Sequence, residues 1–524
     1  MSPLPPSPTA VRPRKRKLVL CVIDAMAPAM LERAIEQGVA PVLERLVGEG
    51  LYVCDCVAAF PSVTPVCAAS IVTGVGQDRH EIPGMNWFHR GEQRYVEYGS
   101  SFRAAQRFGI ARQLTDTVYN MNRAHLNADT LTVFESLDDA GVRTAGTTYL
   151  MYRGRHLHEP QRDTALTRVA SALVRHPVMG PRELFYADVF ASRRTGCRSN
   201  LGMPGVRDRH SGCVSAYLVE HDLFDFLLLS LPDNDWYSHK RGPDAQVHSI
   251  AQADLQLARV MNAAGGLDEF LAEHAMIVMA DHSQAPVEAT IALQDELAEL
   301  GVLGPSRSAQ AAERREQEHP AHGAEAGAGG EAQPRIAVCP SQRAAMVYAL
   351  RPSERDAMRA SVVSRSLQIE GVELVMWLER DAHDAPREGV IASRAHGELR
   401  FAPGGELHDE RGCRWSAEGS LAAIGASVHD GLLRCPDYPD ALARVWAALL
   451  CPSSGEVLLS AAPGYEFLDW GRQAHVGGGS HGSLHASDSL GALVLHGLEP
   501  VGLEPPAQWA IRDVASLALR HFGL

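Results

Sequence analysis

The sequence predicts an α/β fold with a mainly parallel central sheet and helices on both faces. The first observation is a set of short apolar runs at residues 17–23, 224–231, 275–279 and 490–496, which are typical of strands buried on both faces. The second is that helical patterns lie between these runs, as in a parallel sheet. Parallel sheets bind ligands beyond the carboxyl ends of their strands. We therefore expect functional residues in the adjoining loops.

The first elements follow one another closely along the chain. In chain order we predict a strand at 17–23, helices at 28–37 and 41–47, a strand at 51–58, a loop at 60–65 and a short helix at 66–72. Gly48 and Gly50 end the second helix, and Gly74 ends the third. Thr64 is therefore expected near a helix N-terminus, where backbone N–H groups can face an anion.

A change of composition divides the chain of 524 residues into a core and an insertion. Residues 304–334 are rich in Ala, Gly, Glu, Gln and Arg, with almost no apolar residues, which predicts a disordered linker. The insertion is predicted to be α+β, with strands at 336–338 and 372–378, a helix at 353–367 and glycine-rich hairpins at 389–419. The predicted organisation is a flexible tail at 1–16, a catalytic core at 17–303, the linker at 304–334, the insertion at 335–436 and the rest of the core at 437–524.

Charge and hydropathy exclude some classes of function. A net charge of −14 is not that of a protein that coats nucleic acid. It does not argue against a small anionic substrate, because bound metal ions supply local positive charge. No stretch is long and apolar enough to span a membrane, so no membrane partner is expected.

The N-terminal residues and the cysteines favour a cytoplasmic protein. The chain begins with a Pro-rich and then basic segment, but the apolar run after it is too short for a signal peptide and has no small-residue cleavage site. The ten cysteines are scattered, without a Cys-x-x-Cys pair, which favours reduced thiols. Disulfides are the alternative. The sequence does not define the oligomeric state.

Six metal-type side chains lie at predicted strand ends or in adjoining loops. They are Asp24, Asp235, His239, Asp281, His282 and His481. Three carboxylates and three imidazoles suit two divalent transition metals, most naturally zinc. The loop at 60–65 supplies a hydroxyl at Thr64, and two metals beside a hydroxyl can attack phosphorus or sulfur esters.

Each of these residues also has an ordinary structural explanation. Asp235 and His239 are four apart, the spacing of a surface ion pair on a helix. Asp24 and Asp281 follow strands, where Asp often caps the next helix. His481 lies in a glycine-rich segment that also suits a surface loop. The set favours metal binding because all these explanations would have to hold at once.

Several neighbouring residues are alternatives for these roles. His475 and His485 flank His481, and Asp233 lies two residues before Asp235. Thr64 could be a simple turn residue, because Thr is common in turns. A threonine hydroxyl is a poor nucleophile unless a metal lowers its pKa.

The ordered motifs resemble those of the alkaline phosphatase superfamily, and most closely its nucleotide pyrophosphatase/phosphodiesterase branch. The motifs are Ile23-Asp24, Phe60-Pro-Ser-Val-Thr64 with Val72-Thr-Gly74, His80-Glu-Ile-Pro-Gly-Met-Asn86, Asp235-x-x-x-His239-x-x-Gly-Pro243, Asp281-His282 and Gly479-Ser-His481-Gly. The resemblance covers residues 17–303 and 437–524. It implies the alkaline phosphatase-like form of the predicted α/β fold.

The resemblance also implies roles for the site residues. Asp24, Thr64, Asp281 and His282 would surround one zinc, whereas Asp235, His239 and His481 would hold the other. Thr64 would attack phosphorus and form a covalent phospho-threonine or nucleotidyl-threonine. Water activated at the second zinc would then release it, and no side-chain general base would be needed.

The chain departs from the branch at two positions. Cys67 stands three residues after the nucleophile, where the diesterase branch usually carries an Asn that binds a phosphate oxygen. Cys67 and its candidate substitute Asn86 are the predicted substrate-binding residues. Pro65 stands where the branch often has an aromatic residue, which leaves Trp87, Tyr149 and Tyr152 as candidates for stacking.

The predicted function is metal-dependent hydrolysis of phosphodiester or pyrophosphate bonds in small, nucleotide-like substrates, with no nucleic-acid polymer as partner. The predicted cofactors are two zinc ions, with manganese as the alternative. The enzymatic alternatives are a phosphomonoesterase, a phosphonate hydrolase, a manganese phosphomutase and a sulfatase. A sulfatase is least favoured, because Thr64 cannot become formylglycine. The non-enzymatic alternative is a catalytically inert protein that binds metal or phosphate.

Overall fold

The computed structural model describes residues 16–162, 167–168, 174–305, 333–381, 383–498 and 506–524. Residues 1–15 of the predicted tail and residues 306–332 of the predicted linker lie outside this set. Within it, no helix has the length and apolar character needed to cross a lipid bilayer.

The described residues form strands and helices that alternate through the first half of the chain. The strands are β1 (Lys17–Ile23), β2 (Leu51–Val57), β3 (Asn86–His89), β4 (Arg94–Glu97), β5 (Thr144–Thr147), β6 (His156–His158), β7 (Val178–Gly180), β8 (Glu183–Tyr186), β9 (Phe190–Ala191), β10 (Phe226–Leu231), β11 (His274–Met279), β12 (Ala285–Ile291), β13 (Ile336–Ser341), β14 (Ala344–Ala349), β15 (Val372–Arg380), β16 (Pro386–Ser393), β17 (Gly397–His408), β18 (Arg414–Gly419), β19 (Ser427–His429), β20 (Leu432–Arg434), β21 (Val457–Ala461), β22 (Gly464–Phe467), β23 (Gly479–Ser480) and β24 (Leu490–His496). The α-helices are Pro28–Glu36, Pro41–Glu49, Thr64–Thr73, Gln77–His80, Phe102–Phe108, Ile110–Thr115, Val133–Asp139, Arg207–Glu220, Asp233–Arg241, Gln246–Asn262, Leu267–Glu273, Leu293–Glu296, Arg355–Ser366, Ala441–Leu450, Ala486–Ser489 and Asp513–His521. A π-helix spans Asp116–His125, and 3-10 turns lie at Pro243–Ala245, Ala298–Leu300, Pro352–Glu354 and Leu421–Ile424.

The central sheet has the strand order β2-β24-β11-β1-β10-β5-β8-β9. β1 is parallel to both β10 and β11, and β5 is parallel to both β10 and β8. β24 and β9 run antiparallel to their neighbours. The predicted α/β fold is confirmed, with a mixed rather than a fully parallel sheet. Because β24 is reversed, the residues before it lie at the edge where the parallel strands end.

Helices cover both faces of this sheet because its buried strands are apolar on both sides. Along β1, Leu18 and Leu20 enter one core cluster, whereas Val19 and Cys21 enter the other. The first cluster includes residues of the helices Thr64–Thr73, Val133–Asp139 and Asp513–His521. The second includes residues of Pro28–Glu36, Pro41–Glu49, Arg207–Glu220 and Gln246–Asn262.

A second sheet packs against the first core. Its order is β13-β14-β21-β15-β16-β17-β20-β19, with β18 paired to β17. Met346 and Met376 of this sheet enter the same core cluster as Leu18 of β1. On the other face, Val347 and Val375 pack with the helix Arg355–Ser366. The sheet also includes β21, which lies beyond the predicted insertion boundary at residue 436. The predicted division into domains remains a prediction.

One pair of cysteines differs from the prediction of reduced thiols. Cys197 and Cys213 form a disulfide, with Cα atoms 5.8 Å apart. The pairing joins the segment before the helix Arg207–Glu220 to the helix itself, and the 16-residue separation matches no local cysteine motif. The other eight cysteines are free: Cys21, Cys54, Cys56, Cys67, Cys339, Cys413, Cys435 and Cys451.

A buried ion pair fastens the second sheet to the loop that carries His481. Arg343 and Asp488 are both fully buried and form a salt bridge. The Arg343 guanidinium also donates hydrogen bonds to the carbonyl oxygens of Tyr465 and Ala462, each at 3.1 Å. The Asp488 carboxylate accepts the backbone N–H of Ser483 at 2.9 Å. The pair therefore holds the segment that follows His481 against β14.

We expect Arg343→Met to lower the free energy of unfolding by about 3–5 kcal/mol, because it leaves the Asp488 charge buried without its partner. The measurement is the shift of the urea denaturation midpoint. The matched control is Arg472→Met, which removes an exposed salt bridge to Asp295 and should change the midpoint little. Equal midpoints for the two variants would contradict a stabilising role for the buried pair.

Candidate active site

Four adjacent strands bring the predicted ligands together. β24, β11, β1 and β10 are neighbours in the central sheet. Asp24 follows β1, Asp281 and His282 follow β11, and Asp235 lies in the helix after β10. His481 precedes the antiparallel β24. These side chains therefore meet at one edge of the sheet although they are up to 457 positions apart.

The first group surrounds His282. Its Nε2 atom lies 3.6 Å from Asp24 Oδ1 and 3.5 Å from Asp281 Oδ2. The Thr64 hydroxyl is 3.2 Å from the same Nε2 atom. Thr64 is the first residue of the helix Thr64–Thr73, so the predicted position at a helix N-terminus agrees with the structure. The hydroxyl and the ligand atoms thus share one small volume.

The second group surrounds Asp235. Its Oδ1 atom lies 3.3 Å from His239 Nε2 and 3.5 Å from His481 Nε2. Candidate ligand atoms of Asp235, His282 and His481 lie within 4.8 Å of one another, as do those of Asp24, Asp281 and His282. His282 therefore contacts both groups. His239 belongs to the second group through its own contact with Asp235.

Backbone carbonyls orient the three imidazoles. Each Nδ1 atom donates a hydrogen bond to a carbonyl oxygen: His239 to Gly479 at 2.7 Å, His481 to Ser62 at 2.7 Å and His282 to Ser283 at 3.1 Å. This pattern directs each Nε2 lone pair towards the acids, as in many metal sites. Burial lowers the pKa of both His239 and His481, and neighbouring imidazoles lower that of His481 further. The neutral form that ligates metals is thereby favoured.

Among the described residues, the site carboxylates form ion pairs only with imidazoles and with no Lys or Arg. Asp24 is buried, and its Oδ1 atom has no hydrogen-bond partner among the described residues. Burial raises the Asp24 pKa well above its ordinary value, and the nearby charges of Asp281 and Asp235 raise it further. Divalent ions would relieve both the desolvation and the repulsion. The residues present therefore fit a metal centre.

Three residues that the sequence reasoning missed support the ligands. Gln284 donates hydrogen bonds to both the side chain and the backbone oxygen of Asp235. Asn234 donates to the backbone oxygen of Asp24 at 2.8 Å. Gln342, in the turn between β13 and β14, lies 3.5 Å from His239 Nε2. The nearness of Gln284 to His282 in the sequence could have identified Gln284 as a supporting residue. Gln342 lies in the predicted insertion, and no feature of the sequence pointed to it.

The structure does not bring Cys67 and Asn86 to the site cavity described below. Cys67 is buried inside the helix Thr64–Thr73, where burial raises the pKa of its thiol well above the ordinary value. The Asn86 amide donates to the carbonyl oxygen of Pro340. Neither side chain lines the cavity. That they bind phosphate therefore stays a prediction from the sequence, and their positions in the structure do not support it.

The alternative ligands and the stacking candidates also have defined positions. His475 is stacked on His239 with ring centroids 4.1 Å apart and bonds to Glu466, and His485 bonds to Ser487. Asp233 pairs with Arg207 at 3.0 Å. Of the three predicted stacking residues, Tyr149 lines the cavity, whereas Trp87 and Tyr152 do not.

A cavity of about 510 Å³ opens beside the cluster. Thr64, Asp24, Asp235 and Asp281 line one end of it. Aliphatic and tyrosine side chains line much of the remainder. The hydroxyl and the acids can therefore contact a bound small molecule.

We expect Gln284→Ala to weaken metal affinity or activity by about 10–100-fold, because Gln284 holds the Asp235 carboxylate in place. Metal titration and steady-state kinetics would measure the loss. Gln294→Ala is the matched control, since the Gln294 amide donates to the carbonyl oxygen of Leu468 away from the ligands. A loss of similar size in both variants would contradict the assigned role.

The family model described as type I phosphodiesterase/nucleotide pyrophosphatase matches residues 18–402, and the chain belongs to this family. It is therefore a phosphoric ester hydrolase. No curated protein matches the sequence.

Two kinds of solved structure share the fold over nearly the whole chain. Phosphonoacetate hydrolase from Sinorhizobium meliloti 1021, in complex with phosphonoformate or with phosphonoacetate, is 17% identical with a TM-score of 0.53. Those alignments cover 97% of this chain and 96% of that protein. Murine ectonucleotide pyrophosphatase/phosphodiesterase 5 is 11% identical, with a TM-score of 0.52 and coverage of 97% and 95%. At these identities the likeness shows the fold.

Proposed function

We propose that this enzyme hydrolyses phosphodiester or pyrophosphate bonds through a covalent intermediate on Thr64. The observation that carries the proposal is the convergence of two ligand groups beside one hydroxyl, with Thr64 Oγ1 3.2 Å from His282 Nε2. Asp24, Asp281 and His282 would hold one zinc, and Asp235, His239 and His481 the other. When bound, such ions would supply Lewis acidity that lowers the pKa of a hydroxyl and stabilises charge on phosphoryl oxygens.

The chain's own residues position the reaction. Thr64 Oγ1 forms the new bond to phosphorus while the bond to the leaving oxygen breaks. The hydroxyl proton passes to solvent, and an alcohol leaving group takes up a proton from solvent. The leaving oxygen departs as an alcohol or a phosphate. Water then attacks phosphorus and restores the Thr64 hydroxyl. Because its backbone is anchored in a helix, Thr64 keeps the hydroxyl in place through both steps.

The test compares four substrates with the zinc-loaded protein: bis(p-nitrophenyl) phosphate, p-nitrophenyl phosphate, phosphonoacetate and p-nitrophenyl sulfate. We expect the diester to have the highest kcat/KM, and acid-quenched protein to carry a phosphoryl group on the peptide that contains Thr64. Preference for the monoester or the sulfate ester would replace the diesterase assignment. Inertness towards all four with metal bound would favour a binding protein.

Phosphonate hydrolysis is the second candidate. The similar protein from Sinorhizobium meliloti is a phosphonoacetate hydrolase in complex with phosphonoacetate, which favours including this reaction. Higher turnover of phosphonoacetate than of the diester would select it.

The remaining proposals concern substrate size and location. Small phosphoesters suit a cavity of about 510 Å³, which supports a small-molecule substrate. A cytoplasmic location remains a prediction from the sequence. The Cys197–Cys213 disulfide counts against it, because such bonds are typical of oxidising compartments.

A further inference from the structure

The cavity beside Thr64 is built mainly for apolar contact. Its walls beyond the acids include Met85, Leu114, Val118, Val189 and Leu201. Val118 and Val189 belong to a separate core cluster that backs this wall. The wall is therefore a packed surface continuous with the reactive end of the site.

Several polar groups on the wall are already bound within the protein. The Tyr98 hydroxyl contacts His125 Nδ1 at 2.7 Å, and the Thr148 hydroxyl accepts a hydrogen bond from Ser211 at 2.8 Å. Thr117 donates to a backbone carbonyl oxygen. These groups have partners without a ligand, which limits what they offer to a polar substituent. The Tyr149 hydroxyl, which also lines the cavity, has no hydrogen-bond partner among the described residues and is free to bond to a phosphoryl oxygen.

The positive charge on the cavity wall is also already paired within the protein. Arg207 is the cationic side chain among the described residues that line the cavity. Its Nε atom donates to Asp233 at 3.0 Å, and a terminal nitrogen donates to the carbonyl oxygen of Pro232 at 3.1 Å. A substituent with further phosphates would find little compensating charge there. A polar substituent buried without partners loses hydrogen bonds to water, which is unfavourable.

We propose that the cavity selects phosphodiesters that carry an apolar alkyl or aryl substituent, in preference to nucleotides. This inference rests on the proposed function, because it places the phosphoryl group at Thr64 and the substituent against the apolar wall. Burying each methylene there contributes about 0.8 kcal/mol, which corresponds to a factor of about four in affinity. A ribose or a base would gain less, since it would bury polar atoms.

The test measures binding of alkylphosphonates, which have one substituent and need no turnover. Calorimetry with the zinc-loaded protein would compare methyl-, butyl- and octylphosphonate with thymidine 5′-monophosphate. We expect Kd to fall by about fourfold per methylene until the cavity is filled, so that octylphosphonate binds at least about 100-fold more tightly than methylphosphonate. A Kd independent of chain length, or tighter binding of the nucleotide than of octylphosphonate, would overturn the inference.

A variant pair tests the location of the substituent. Leu201→Asn should weaken octylphosphonate by about tenfold and methylphosphonate much less. Asparagine tolerates the left-handed backbone at this position, where φ is 61°. The control is Met203→Asn in the same loop, because Met203 is exposed and does not line the cavity. Equal effects of the two variants would place the alkyl chain elsewhere.

The diester assay separates this inference from the proposed function. Hydrolysis of bis(p-nitrophenyl) phosphate without any dependence of Kd on alkyl length would reject the substrate class and leave the reaction standing. Tight octylphosphonate binding without diester turnover would reject the reaction and leave an apolar phosphonate-binding site.

Discussion

Replacing Thr64 with alanine is expected to lower kcat for phosphodiesters by at least about 10³-fold, because the variant has no hydroxyl to bond with phosphorus. The Thr64 hydroxyl lies 3.2 Å from His282 Nε2, beside the two groups of candidate ligands. The other six predicted ligands keep their side chains, so the variant should still bind metal. Steady-state kinetics and metal analysis of the same sample would measure both properties.

Two further variants test whether the loss of activity comes from the missing Thr64 hydroxyl. Thr64→Ser keeps a hydroxyl and should retain measurable turnover and the covalent adduct. Thr73→Ala changes the other end of the same helix, where the Thr73 hydroxyl donates to the carbonyl oxygen of Ala69. It should be as active as the unaltered enzyme. Retained turnover in Thr64→Ala would rule out the covalent mechanism, whereas loss in Thr73→Ala would indicate a general effect on the helix.

The pattern of apolar runs in the sequence was sufficient to predict which acidic residues follow the strands at the site. Asp24 and Asp281 follow apolar runs that are strands, and neighbouring parallel strands end at one edge of a sheet. Their convergence therefore follows from the strand pattern once the strand order is known. His481 needed the reversed direction of β24, which the sequence does not define. The ordered motifs supplied that information through the resemblance.

Features that depend on packing between distant segments were not predictable in the same way. Gln342 reaches His239 across 103 positions because the β13–β14 turn packs against the His481 loop. The Asn86 amide donates to the carbonyl oxygen of Pro340, which lies 254 positions away, and local sequence does not predict this contact. Cys197 and Cys213 lacked any recognisable spacing. Each case depends on a long-range contact rather than on a periodic pattern.

The largest effect on metal binding is expected from His282→Ala. His282 Nε2 lies within 3.2–3.6 Å of Thr64, Asp24 and Asp281, and ligand atoms of Asp235 and His481 lie within 4.8 Å of His282. Removing the imidazole leaves closely spaced acids with one ligand fewer. We expect the variant to bind one zinc instead of two, and diester turnover to fall by at least about 100-fold. Elemental analysis after gel filtration would count the zinc.

The matched control is His485→Ala, because His485 lies near His481 in sequence but bonds to Ser487. It should keep two zinc ions. Treating the unaltered enzyme with a chelator should abolish turnover and lower Tm, since metal that binds only the folded chain stabilises it. Adding zinc should restore both. If the chelated enzyme kept its Tm, bound metal would not stabilise the folded chain. If His282→Ala kept two zinc ions, His282 would not be a ligand.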